Sequence, residues 1–244
     1  MHDLLNKVFE TRVFITSKNQ TVKIHSETSK GQCEFLQKII ADNKFSRSVE
    51  IGFAYGMSTL AIVEAVLANG GTHVVIDKFQ LSAWGGVGLD LISQAGYSRN
   101  IEFHEEYCYM VLPKLLEVGN KFDFAYVDST KQMDWLLVDF FYLDKLLKVN
   151  GIIVFDDVGS PGIRKLLRYI SQFPNYKIYE TYPDNYQPSR KRKLLSVLKY
   201  LPKSNYYIKA DIINSDFAMG VNTNCVALQK IDEDKRNWDW HREF

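Results

Sequence analysis

Apolar positions along the 244-residue chain follow two rhythms. Short β-branched or aromatic runs occur at Ser48–Ile51, Thr72–Ile76, Asn100–Phe103, Phe122–Val127 and Ile152–Phe155, and again near Tyr176–Glu180 and Cys225–Ile231. Between the first five and after the last of them, apolar residues recur three and four apart, as on one face of a helix: Leu60, Val63, Val66 and Leu67; Leu89, Leu91, Ile92 and Ala95; Val111 to Val118; 132–147; and Ile163 to Phe173. A further helix through Phe35, Leu36, Ile39 and Ile40, capped by Thr28 or Ser29, leads into the first run. Asn69-Gly70-Gly71 is expected to end one helix, and Asn150-Gly151 to turn another into the fifth strand. Five β–α repeats and a closing pair predict an α/β fold: a seven-stranded, mostly parallel sheet with helices on both faces and the last strand antiparallel.

The same pattern organises the chain as one domain. Residues 1–25 are a polar and β-branched arm, 26–182 the core, 183–223 an insertion, and 224–244 the last strand and an aromatic tail, W-D-W-H-R-E-F, expected to dock. The insertion is far longer than a usual connection. Within it, Arg190 to Lys193 precede Leu194, Leu195, Val197, Leu198 and Leu201, which predicts a basic amphipathic helix over 190–203. Such a helix suits a substrate cover, an anionic surface or a second subunit in a homodimer.

Composition narrows this little. A formal net charge of +1 and an apolar fraction of 46% argue against disorder and against nucleic acid as a partner. Cys33, Cys108 and Cys225 are too widely spaced for a disulfide framework or zinc knuckle, which points to a reducing, cytoplasmic setting. No run is long enough for a transmembrane helix, and the amino terminus lacks a leader's apolar core.

The chemistry centres on S-V-E-I-G-F-A-Y-G-M-S-T-L, Ser48 to Leu60. Gly52 and Gly56 permit a tight turn from strand to helix, and the helix amino terminus then faces the strand's carboxyl end, where open α/β sheets bind ligands. Ala54 breaks the G-x-G-x-x-G dinucleotide pattern, and the carboxylate of Glu50 suits a ligand carrying an ammonium or sulfonium better than a pyrophosphate. E-I-G-x-x-x-G-x-S closely resembles motif I of the class I (Rossmann-like) methyltransferases, which implies S-adenosylmethionine as cofactor. On that resemblance Gly52, Tyr55, Gly56 and Ser58 line its methionine and ribose side, and Glu50 holds the loop. Asp77, ending the second strand, takes the ribose hydroxyls, while Tyr107 and Cys108 flank the adenine. His104 and Glu105 do not extend to H-E-x-x-H, because Cys108 stands where the second histidine is needed.

Asp128, Asp156 and Asp157 end the fourth and fifth strands, on the glycine loop's edge of the sheet. Carboxylates so gathered repel unless a cation lies among them, and oxygen donors suit magnesium or another hard divalent ion. D-x-x-K at Asp128–Lys131 and D-D-V at Asp156–Val158 look like the metal site of the catechol and caffeoyl-CoA O-methyltransferases, whose second motif is usually D-N. The chain is similar in texture also to bacterial methyltransferases of that group. The resemblance spans about Ser26 to Phe173 and implies that Asp128, Asp156 and Asp157 hold the metal against adjacent hydroxyls of a small molecule or glycan. It further implies that Asp128 and Lys131 are catalytic, with Lys131 removing the proton. A non-catalytic nucleotide-binding module docking to a membrane or assembly through 190–203, and a nicotinamide-dependent oxidoreductase, stay open as alternatives.

Overall fold

The computed structural model describes residues 1–25, 28–183, 216 and 219–241. The helix α1 (Asp3–Thr11) and the hairpin of β1 (Val13–Ile15) and β2 (Thr21–Lys23) form the arm. The alternating core follows: α2 (Lys30–Asp42), β3 (Arg47–Ile51), α3 (Met57–Ala68), β4 (Thr72–Ile76), α4 (Val87–Gln94), β5 (Ile101–His104), α5 (Cys108–Glu117), β6 (Phe122–Val127), α6 (Met133–Leu146), β7 (Leu147–Phe155), α7 (Pro161–Ile170), β8 (Tyr176–Tyr182) and β9 (Cys225–Lys230). The main sheet is a seven-stranded, Rossmann-like sheet with the order β5-β4-β3-β6-β7-β9-β8, and β9 runs antiparallel to both of its neighbours.

The chain packs as two compact units, 1–129 with 139–148, and 130–138 with 149–244. In the first, β3 pairs in parallel with β4 and β6, placing Val49 opposite Val74 and Ala125. Strands covered on both faces read as nearly unbroken apolar runs, and β3 and β4 bury all but their first residues. Ser29 caps α2 through a reciprocal pair with Gln32, satisfying two amide donors that a helix start leaves orphaned. Almost every residue of α3 from Met57 to Val63 is buried, and a helix apolar all round belongs inside. The arm contributes Leu5, Val8, Phe14 and Ile24 to a core cluster that also holds Phe53, Tyr55, Met57 and Leu60. It is therefore a packed part of this unit.

The second unit carries the antiparallel pairs β7–β9 and β8–β9 and the helix α7. Buried Arg168 of α7 binds Asp216 at 2.8 Å. Of the aromatic tail, Trp240 docks against Tyr169 and Phe173 while Trp238 is exposed, and the Arg236 guanidinium before it lies 3.5 Å from the centre of the Phe173 ring. Two expected boundaries move. The strand β7 starts at Leu147, so Asn150-Gly151 is no turn; Asn150 instead takes a left-handed φ of 70° inside the strand. The helix α5 starts at Cys108, one turn before the periodic apolar run, because Tyr107 already has the extended backbone of a helix cap. The amphipathic helix expected over 190–203 lies outside the described residues.

Candidate functional site

The turn between β3 and α3 is held open by its backbone. Gly52 has φ +98°, and a Cβ there would stand 2.0 Å from the carbonyl oxygen of Asp128. No other residue fits between the two strand ends. Gly56 has φ 80° at the start of α3, and no side chain caps that helix. Beside the turn is a small cleft lined by Thr28, Gly52 to Ser58 and Asp128. Gly52, Tyr55, Gly56, Ser58 and Asp128 are thus brought to one place.

Asp77 grips the loop from the neighbouring strand. One of its oxygens accepts the Phe53 and Ala54 amides at 2.9 and 3.1 Å, and the other accepts the amide of Phe79 at 2.7 Å. A carboxylate offers about four acceptor positions, so three amides do not saturate it. Gln80, fully buried, adds a second stitch by donating to the Ala54 carbonyl at 2.8 Å and accepting the Gly88 amide.

Glu50 lies beneath the loop and is fully buried. Ser58 and Thr59 donate to its two oxygens at 2.5 and 2.6 Å, and His73 Nε2 sits 3.0 Å from the second. Ser48 Oγ meets the other ring nitrogen of His73 at 2.8 Å. A buried charge is tolerable only when so paired. The set joins β3, β4 and the first turn of α3, so Glu50 acts on the loop by holding the helix that begins there.

The two adenine candidates part company. Tyr107 stacks on Tyr109 with ring centres 5.2 Å apart, meets Phe79 edge-on at 6.0 Å, and carries the Lys78 ammonium over its ring. Cys108 is buried on α5 against Asp139, and burial together with the Asp139 charge pushes its thiol up. Asp139 is fully buried, and neither of its oxygens makes a hydrogen bond of ordinary geometry among the described residues. Burial pushes its carboxyl up to about 6, with the Cys108 thiol acting in the opposite direction.

In the second unit, Asp156 is buried and its Oδ1 accepts the Asp157 amide at 2.7 Å, Asn224 Nδ2 at 3.1 Å and the Cys225 thiol at 3.0 Å. Asp157 has a left-handed φ of 52°, and its carboxylate holds the Lys131 ammonium at 2.9 Å with both side chains partly exposed. Among the described residues, no three His, Cys, Asp or Glu side chains are grouped so as to hold a metal ion. His25, Thr59, His73, Gln80 and Asn224 were not singled out by the sequence, and Thr28 only as a possible helix cap. Only the Ser29–Gln32 cap beside Thr28 carried a local signal; the others act on partners far away in the chain.

Residues 49–158 match the family model described as a methyltransferase domain. Caffeoyl-CoA O-methyltransferase 2 of Petunia hybrida is 32% identical over 158 residues, covering 60% of this chain and 63% of the relative. A caffeoyl-CoA O-methyltransferase of Nicotiana tabacum is 31% identical with similar coverage. The chain thus spans less than two thirds of the length of these relatives. Among solved structures, the SAH-bound methyltransferase of Podospora anserina has a TM-score of 0.63 at 16% identity, covering 95% of this chain and 89% of that one. The O-methyltransferase of Bacillus cereus in complex with SAH has a TM-score of 0.56 at 21% identity, covering 63% of this chain and 74% of that one. At such identities the likeness is one of fold. No helix among the described residues is long and apolar enough to cross a membrane.

Proposed function

We propose that the chain, whose residues 49–158 match the model of a methyltransferase domain, is a class I S-adenosylmethionine-dependent O-methyltransferase acting on a hydroxyl of a small molecule or glycan with adjacent hydroxyls. The observation that carries this is the cleft beside the glycine turn, where Gly52, Ser58 and Asp128 meet and which Asp77 shapes by gripping the loop. Its features suit the cofactor part by part. The uncapped start of α3 offers backbone N–H groups and a positive dipole end to the methionine carboxylate. Asp77 retains acceptor capacity for ribose hydroxyls, and Asp128 sets a carboxylate at the cleft. S-adenosylmethionine supplies an electrophilic methyl group.

The protein's part is to hold the acceptor oxygen in line with that methyl and to manage its proton. Lys131 is the residue proposed for the proton. Paired with Asp157, its ammonium would stabilise the negative charge that develops on the acceptor oxygen as the proton leaves.

The donor chemistry of Asp128, Asp156 and Asp157 suits a hard divalent cation. Asp157 is already paired with the Lys131 ammonium, and no step is routed through a metal.

Calorimetric titration with S-adenosylhomocysteine, with and without magnesium, tests the reading. Binding by the wild type supports it, and absence of binding refutes it. A magnesium response lost in Asp156→Ala would establish the cation. Methyl transfer to caffeoyl-CoA and to simple catechols then examines the acceptor class. The cytoplasmic setting, the homodimer and the anionic contact through 190–203 stand as further parts of the proposal, the last outside the described residues.

A further inference from the structure

The arm reaches the glycine loop at one point. The Tyr55 hydroxyl and His25 Nε2 share a hydrogen bond at 2.7 Å, with the two rings edge-to-face at 5.4 Å. Tyr55 is buried, and its ring also meets Trp84 edge-on at 5.0 Å. It therefore touches both the arm and the segment that follows Asp77, and Tyr55 itself lines the cleft. His25 is in turn anchored. The His2 amide donates to Glu64 of α3 at 3.0 Å, Gln94 of α4 donates to the Ile15 carbonyl at 3.0 Å, and the Ser17 amide donates to Asp90 at 2.7 Å. Ile24, next to His25, is buried in the shared core, and three residues on from His25, Thr28 forms part of the cleft wall.

From this arrangement we infer that His25 is a positioning residue for the cofactor: it fixes the Tyr55 ring through its hydroxyl, so that docking of the amino-terminal arm and the shape of the glycine loop depend on each other. The inference rests on the cofactor reading above. Asp77, Gln80 and Glu50 hold the loop from the sheet side, through Phe53, Ala54 and the first turn of α3. Tyr55 follows those stitches, and its side chain meets the arm through His25 and the later segment through Trp84. Without the hydrogen bond, the Tyr55 side chain loses its tie to the arm, and the loop is less firmly ordered. Cofactor binding then has to restore the order that His25 supplies in advance.

The test is S-adenosylhomocysteine affinity in the full chain for wild type, His25→Ala, Tyr55→Phe, the double variant and His25→Gln, each with a melting curve taken without ligand. Loss of one hydrogen bond predicts about a five-fold weaker Kd in each single variant. The double variant should be no weaker than the singles, because both remove the same contact. His25→Gln, which keeps a polar group able to reach the hydroxyl, should recover affinity to within about two-fold of wild type. A residue that merely stabilises the fold would lower the ligand-free melting temperature and leave affinity in the folded protein unchanged. Wild-type binding with both single variants within about two-fold of it overturns the coupling alone, as do additive losses in the double variant. No binding by the wild type overturns the cofactor reading and the coupling with it. If His25→Ala fails to fold, Tyr55→Phe and His25→Gln carry the same comparison.

Discussion

Replacing Gly52 by alanine tests the glycine turn at its tightest point. The new Cβ would lie 2.0 Å from the Asp128 carbonyl oxygen and 2.8 Å from its carbon, both backbone atoms with no rotamer to yield. Relief requires the ends of β3 and β6 to part by about 1 Å, a displacement that typically costs about 100-fold when it falls on groups positioning a reactant. Two hydrogen bonds oppose the movement: the Gly52 amide to the Ile76 carbonyl at 2.9 Å and the Asp128 amide to the Ile51 carbonyl at 3.0 Å. The φ of +98° adds backbone strain of about 1–2 kcal/mol. With the hydrogen bonds weakened as well, a total loss of about 3 kcal/mol in stability is expected. Gly85→Ala is the control, because Gly85 also has positive φ, +59°, but nothing within 4 Å of its Cβ. It should show the strain alone, about 1 kcal/mol. Urea unfolding and calorimetric titration with S-adenosylhomocysteine on both variants read the two quantities. Gly52→Ala with wild-type affinity, or no less stable than Gly85→Ala, would refute the claim that the close approach of these strands shapes the cleft.

Other perturbations follow from the same structure. Burial pushes the Asp139 carboxyl up to about 6, from an ordinary aspartate value of about 4. Because the folded value is the higher one, the native state keeps its proton longer and loses relative stability as pH rises from about 4 through 6, by about 3 kcal/mol in all. Asp139→Asn should flatten that part of the profile in urea unfolding at pH 5 and 7.5; an unchanged slope would contradict the assignment. Glu50→Ala strands Ser58, Thr59 and His73 in the interior and should cost about 3–5 kcal/mol, with Glu50→Gln costing less because it keeps an acceptor. Equal losses by chemical denaturation would mean that the charge contributes nothing beyond shape. Arg168→Ala removes a buried guanidinium from Asp216 and should cost about 3 kcal/mol; a change within 0.5 kcal/mol, the range usual for exposed sites, would show that the pair is dispensable.

Much of the scaffold was legible because its causes are local. Ser29 and Gln32 signal a helix start three residues apart, the period of the apolar positions separates strand from helix, and glycines after β3 mark a turn that side chains resist. Such rules act between neighbours within about one helical turn, so the sequence by itself determined the order of elements and the place of the glycine loop. The site's interior was not legible in that way. His73 reaches Glu50 because parallel pairing sets it opposite Ser48, and a shift of one residue would turn its side chain to the other face of the sheet. Gln80 and His25 gain their roles from loops that pass the glycine turn 26 and 30 residues away along the chain. Lys131 and Asp157, read from the sequence as a base and a metal ligand, also form an ion pair at 2.9 Å, a pairing that opposite charges at such range favour. Only the tertiary structure decided these partnerships: which polar groups share a buried space depends on register and packing between distant segments, and no spacing along the chain encodes either.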